Sequence, residues 1–294
     1  MQRGVGTLIR WIRTQAGRRR RTALWAAAVL ALAGSTGCGA GGDAGRASTG
    51  EAAANGPEPV ELLVSAAASM TDSLNEIKRG YEASVPGVRL TFNFGASGAL
   101  QQQIEQGAQA DLFVSASERN MNALVDKGLV AEADREPIVR NELVVVVPAS
   151  DKLAWSAVAD LSRAEVKTVA VGIPESVPAG AYAKEALTRA GLWDALQPKT
   201  VQAKDVRQVL TFVETGNADA GFVYKTDALS SERTKVAFAV DPAAYTPAVY
   251  PAGVVKATKH PDESRAFLTY LRSKAAADVF ARYGFSPVGA VPGS

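Results

Sequence analysis

Residues 141–150 read "NELVVVVPAS", four valines in succession between polar flanks. A helix would space its apolar side chains three and four apart, and a strand with one wet face would alternate them. An unbroken apolar run this short reads instead as a strand covered on both faces, a setting that suits β-branched valine. Its neighbours decide the fold.

Upstream, short apolar runs alternate with amphipathic ones. "VELLVSAAA" (60–68), "GVRLTFNFG" (87–95) and "ADLFVSAS" (110–117) read as strands. Between and after them, "SMTDSLNEIKRGYEAS" (69–84), "GALQQQIEQG" (98–107) and "ERNMNALVDKG" (118–128) read as helices. Beyond the valine run the alternation restarts. "VKTVAVGIP", "PKTVQA" and "DAGFVY" read as strands, and "AGAYAKEALTRAGL" and "DVRQVLTFVETG" as helices. A last strand, "YPAGVVKA" (250–257), precedes a helical C-terminal region. The expectation is an α/β chain of two lobes, each a mostly parallel sheet flanked by helices. One lobe comprises 59–142 and 244–294, the other 143–243. The chain crosses between them through "NELVVVV" and again near "AYTPAVY" (244–250).

The N-terminal 38 residues read as an export signal. Arg3, Arg10, Arg13 and Arg18 to Arg21 precede the apolar stretch "TALWAAAVLALAG" (22–34), which is too short to span a bilayer. Cys38, the single cysteine, follows at the expected cleavage point and reads as a lipidated residue. Residues 39–58, "GAGGDAGRASTGEAAANGPE", read as a flexible tether. Seven of the 32 basic residues and none of the 30 acidic ones lie before residue 39, so the remainder carries a net charge of −5. The whole-chain surplus of +2 is therefore misleading, and nothing suggests nucleic-acid binding.

The catalytic inventory is thin. His260 is the single histidine and sits in a turn before a helix; with it alone and no thiol after processing, Ser-His-Asp and Cys-His arrangements and His-based metal clusters fall away. There is no Walker loop and no GxGxxG. Carboxylates leave paired-acid chemistry open on residues alone, although Asp111 and Asp219 begin strands and most others fall on solvated helix faces.

What recurs is a strand followed by a small or hydroxyl residue at a helix start. Ser69 reads as a helix N-cap, with Asp72 completing a capping box. Ser97 stands at the next strand-to-helix junction. In "IPESVPAGAY" (173–182), Pro178 takes the first helical position with Ala179 behind it. Asp205 reads as an N-cap with Val206 in the first turn, and Tyr224 ends a strand. In open α/β sheets, ligands bind outside the carboxyl ends of strands. The first N–H groups of a helix have no intrahelical partner and carry partial positive charge, so a bare helix entrance admits an anion closely. Ala179 and Val206 would donate through the main chain; Ser69, Ser97 and Tyr224 would add hydroxyls.

From about 60 to 288 the chain resembles the molybdate-binding proteins of ABC importers. The carrying segments are "AAASMTDSL", "GASGALQQQIEQGAQADLFVSA", "VPAGAYAKEAL", "DVRQVL", "GFVYKTDA" and "FARYGF". The resemblance implies a two-lobed periplasmic-binding-protein-like fold of type II with its ligand in the interlobe cleft. It implies an oxyanion held by Ser69, Ser97, Ala179, Val206 and Tyr224, with molybdenum met only as that oxyanion and no cofactor or catalysis. Molybdate, with tungstate alongside it, would be bound tightly and delivered to the membrane subunits of an importer by a monomer. That monomer would be lipid-anchored through Cys38 at the outer face of the cytoplasmic membrane. The alternatives are another small anion such as sulfate and, more distantly, an enzyme on the same scaffold. The lack of an obvious acceptor carboxylate favours a fully deprotonated anion.

Overall fold

The computed structural model describes residues 59–288. The export signal, Cys38, the tether and the final residues 289–294 of the expected first lobe lie outside the described residues.

The first sheet grows around β1 (Val60–Ala67), which pairs in parallel with β2 (Val88–Gly95) and with the short β3 (Leu112–Val114). Helix α1 (Thr71–Ser84) connects β1 to β2, α2 (Ser97–Glu105) connects β2 to β3, and α3 (Glu118–Asp126) follows. Strand β4 (Val130–Asn141) then leads out of the sheet and directly into β5 (Leu143–Pro148), the first strand of a second sheet. That sheet continues with β6 (Val169–Gly172), α4 (Pro178–Arg189), the single turn α5 (Trp193–Leu196) and β7 (Thr200–Ala203). It closes with α6 (Val206–Glu214), β8 (Ala220–Tyr224), α7 (Lys225–Leu229) and β9 (Thr234–Ala239). The chain then returns to the first sheet as β10 (Ala248–Val255), followed by α8 (Pro261–Leu271) and α9 (Lys274–Arg282). The strand orders are β2-β1-β3-β10-β4 and β7-β6-β8-β5-β9.

Helices dock through apolar side chains at helical spacing: Leu74, Ile77 and Tyr81 on α1, and Val206, Val209, Leu210 and Val213 on α6, all buried. The valines of β5 are buried on both faces, between β8 and β9. Gly180 answers to packing: a Cβ there would lie 1.9 Å from the carbonyl oxygen of Gly172, so only glycine lets α4 approach β6.

Each sheet is mostly parallel in strand direction, four of its five strands running one way, but mixed through one strand that runs against them. β10 runs antiparallel to β3 and β4, and β5 antiparallel to β8 and β9. The reason lies in the crossings. Leu143, which opens β5, faces Tyr224, which ends β8; Ala248, which opens β10, faces Asn141, which ends β4. The chain thus enters each sheet at the end where the other strands finish, and must run away from it. β4 and β9, unread in the sequence, are edge strands with several exposed positions; β4 shows no unbroken apolar run, whereas β9 carries one at residues 236–239.

Candidate functional site

The carboxyl ends of β1, β2, β6 and β8 meet one another across the two lobes. Ser69 lies in a 3-10 turn (Ala68–Met70) that delays the start of α1 to Thr71. This overturns the N-cap and capping-box reading of Ser69 and Asp72. The cap position falls to Met70, whose side chain makes no capping bond, and Thr71 instead donates its hydroxyl to the Ala68 carbonyl at 2.7 Å. Ser69 Oγ is thereby released to meet the Tyr250 hydroxyl at 2.9 Å. Ser97 opens α2 and accepts the Ala116 N–H on its Oγ at 2.9 Å. Pro178 opens α4, with Ala179 second and no side chain capping the end. Asp205 caps α6 by accepting the Gln208 N–H at 2.8 Å, leaving Val206 as the first helical residue. Tyr224 ends β8.

These five residues line one cavity, with small or apolar neighbours such as Ala67, Ala68, Ala96 and Ala116. All five are at most 4 % exposed. The cavity is small, with a free volume of about 10 Å³, room for a single small species. Not one lining residue is Lys, Arg, His, Asp or Glu, so whatever enters meets dipoles only. Helices α2, α4 and α6 all begin at its wall, bringing partial positive charge from three directions. The Tyr224 hydroxyl is buried and makes no well-aligned hydrogen bond, although the Tyr250 hydroxyl lies within its reach. Burial, reinforced by neighbouring negative groups, holds that phenol well above its ordinary pKa, so it remains a proton donor. An unsatisfied buried hydroxyl is costly, and a ligand oxygen would relieve it.

Behind the wall, charge is balanced within the protein. Arg207 lies 2.8 Å from Asp227 and reaches across the lobes to Asp72 at 2.6 Å. Burial pushes the Asp227 carboxyl up to about 6, against the pull of Arg207 and of the Tyr224 N–H that it accepts. Two further contacts join the lobes: Gly98 N–H donates to the Ser176 carbonyl at 2.9 Å, and the Tyr182 hydroxyl to the Ala116 carbonyl at 3.3 Å.

The sequence reading missed the layer that supports the site, Asn141, Arg207 and Tyr250. The nearest signal was the position of Asn141 and Tyr250 at the two crossings. The other chemistry-bearing residues serve the scaffold. Asp111 and Asp219 accept main-chain N–H groups of Leu63 and of Lys167 and Thr168, and His260 stands at the start of α8. Among the described residues no group of three or more His, Cys, Asp and Glu side chains could hold a metal ion.

A profile of bacterial extracellular solute-binding proteins matches residues 62–286. The chain belongs to that family. A Bacillus subtilis solute-binding protein, provisionally named an ABC transporter substrate-binding lipoprotein, is 47% identical over 239 residues, covering 81% of this chain and 91% of its own. A molybdate-binding protein of Haemophilus influenzae is 40% identical over 232 residues, covering 77% of this chain and 90% of its own. Among solved structures, the substrate-binding domain of a transporter from Clostridium difficile, provisionally named a molybdenum ABC transporter, superposes with a TM-score of 0.62 at 42% identity, over 78% of this chain and 99% of that one. The solute-binding protein thus has the two-lobed α/β fold of type II periplasmic binding proteins, and its relatives are binding components of ABC transporters rather than enzymes.

Proposed function

We propose that this solute-binding protein holds molybdate, and tungstate equally, between its lobes and presents it to the membrane subunits of an ABC importer. The observation that carries the reading is the single small cavity. Ser69, Ser97, Ala179, Val206 and Tyr224 surround it, it contains no charged side chain, and the Tyr224 hydroxyl stands there without a well-aligned partner. Hydrogen bonds to a charged group contribute roughly 1.5–3 kcal/mol each. Several together, in a cavity that excludes water, support nanomolar binding, about −12 kcal/mol, after the cost of ordering the lobes. Neutral donors also suit a carrier that must release its cargo.

Molybdate and tungstate share charge and shape. Sulfate is smaller and leaves some donors out of reach, so it binds more weakly. Contacts from both lobes make the closed form the bound form, the form for the importer to recognise. Cys38 carries the lipid that retains the protein at the outer face of the cytoplasmic membrane, and Cys38→Ser should release it into the soluble fraction.

Calorimetry of the processed protein against molybdate, tungstate and sulfate tests the central claim. Molybdate and tungstate should bind with similar affinity and sulfate far more weakly; sulfate binding as tight as molybdate would overturn it.

A further inference from the structure

Ser69 and Ser97 are hydroxyls, and a hydroxyl can donate to a ligand or accept from it. Which of these each serine does is settled behind the cavity wall. Ser97 is the simpler case: its oxygen already accepts the Ala116 N–H, so its own hydrogen is free to point inward. Ser69 depends on a longer chain. Asn141, at the end of β4 where the chain crosses between lobes, accepts the Glu142 N–H on its Oδ1 at 2.9 Å, which fixes which way the amide faces. Both hydrogens of its Nδ2 are then directed, one to Thr226 Oγ1 at 2.9 Å and one to the Tyr250 hydroxyl oxygen at 3.2 Å. An amide nitrogen cannot accept, so Tyr250 must. Directed to Ser69 Oγ, 2.9 Å away, its own hydrogen would leave the Ser69 hydrogen for the cavity.

We infer that Asn141 and Tyr250 are positioning residues that fix the direction of this hydrogen-bond chain. Through Ser69 they make the site a pure donor set, selecting anions with no hydrogen of their own. The inference rests on the oxyanion reading above and adds to it a mechanism of discrimination. All members are buried: Tyr250 is 0 %, Ser69 3 % and Asn141 4 % exposed, so water does not scramble the chain. Burial holds the Tyr250 phenol well above its ordinary pKa, so it keeps the hydrogen the chain needs. The chain also spans the hinge. Thr226 belongs to the second lobe, Asn141 to the crossing and Ser69 to the first, so the direction at Ser69 is set where the lobes are joined.

The test compares molybdate with inorganic phosphate at about pH 8, where phosphate is also a dianion but carries one O–H. Calorimetry on the processed protein and its variants gives the ratio of the two affinities. Asn141→Asp keeps the shape but replaces the donor by an acceptor. Tyr250 then turns its hydrogen to the new carboxylate, Ser69 turns its own to Tyr250, and an oxygen lone pair faces the cavity. The added negative charge repels both dianions alike and cancels in the ratio. The preference for molybdate over phosphate should fall by about ten-fold or more, the size of one hydrogen bond to a charged group. Tyr250→Phe, which frees Ser69 to turn either way, should reduce the preference by less.

A ratio unchanged in both variants would overturn the inference, even where both ligands bind more weakly. Should Asn141→Asp fail to fold, a Tyr250→Phe ratio equal to that of the wild type overturns it by itself. The wild-type titration separates the two claims. If the wild type binds sulfate more tightly than molybdate, the function proposed above fails, and the same ratio measured with sulfate still decides the role of Asn141 and Tyr250.

Discussion

Gly98→Ala should jam the closed form without harming either lobe. Gly98 is the second residue of α2 in the first lobe, and it faces Ser176 in the second, just ahead of α4. A Cβ at Gly98 would stand 2.7 Å from the Ser176 carbonyl oxygen and 2.8 Å from its Cα, where ordinary contact begins near 3.4 Å. These are main-chain atoms, and no rotamer change relieves the overlap. The lobes must part by roughly 0.7 Å at this point, lengthening the 2.9 Å Gly98–Ser176 hydrogen bond. Ser97 is next to Gly98 and Ala179 is three residues beyond Ser176, so the parting separates two of the proposed ligand donors directly. Overpacking of this kind costs about 1–3 kcal/mol, which corresponds to about 5–150-fold weaker binding of the anion. A form with the lobes parted would carry no such clash, so the melting temperature without ligand should stay at the wild-type value while the ligand-induced rise shrinks. Calorimetric titration with molybdate and thermal melts with and without it measure both quantities. Gly87→Ala, at a site with nothing within 4 Å, is the matched control. Binding by Gly98→Ala within two-fold of wild type would refute the reasoning, because the closed geometry would then not be the binding geometry.

Tyr224→Phe removes a cavity hydroxyl that lacks a well-aligned protein partner, and titration should show an affinity loss of about ten-fold or more; an unchanged affinity would mean that no ligand oxygen meets it. Ala179→Pro deletes a main-chain donor and should weaken binding by a similar factor, whereas Ala179→Ser keeps the N–H and should stay within a few-fold; equal damage from both would sink the main-chain account. Asp227 has a folded-state pKa raised to about 6, above its ordinary 3.8, so its contribution to stability is fully present below the ordinary value and is lost as the pH rises through about 6. Denaturant melts between those limits should show the stability of the wild type minus that of Asp227→Asn falling as pH rises, and a flat or rising difference would contradict the assignment.

Much of this was legible in the sequence for local reasons. The valine run in β5, the helical spacing on α1 and α6 and the strand–helix alternation each depend on neighbours a few residues apart. Pro178 at the head of α4 and Asp205 capping α6 follow from rules of equally short range. Where a local rule misled, a longer-range fact had intervened. The three-residue spacing of Ser69 and Asp72 fits a capping box, yet a 3-10 turn shifts the helix start, Ser69 is claimed by Tyr250 and Asp72 by Arg207. Those partners are 181 and 135 residues away along the chain.

The sequence by itself determined the α/β class, the two crossings and the helix starts at Pro178 and Val206, because periodicity and capping act within a turn or a strand. Tertiary structure alone decided that five strand-to-helix junctions enclose one void, that the sheets are mixed, and that Asn141 and Tyr250 stand behind Ser69. Strand direction follows from the end at which a crossing chain enters a sheet. The enclosure of a cavity, and the direction of a buried hydrogen-bond chain, depend on distances between residues that the sequence leaves far apart.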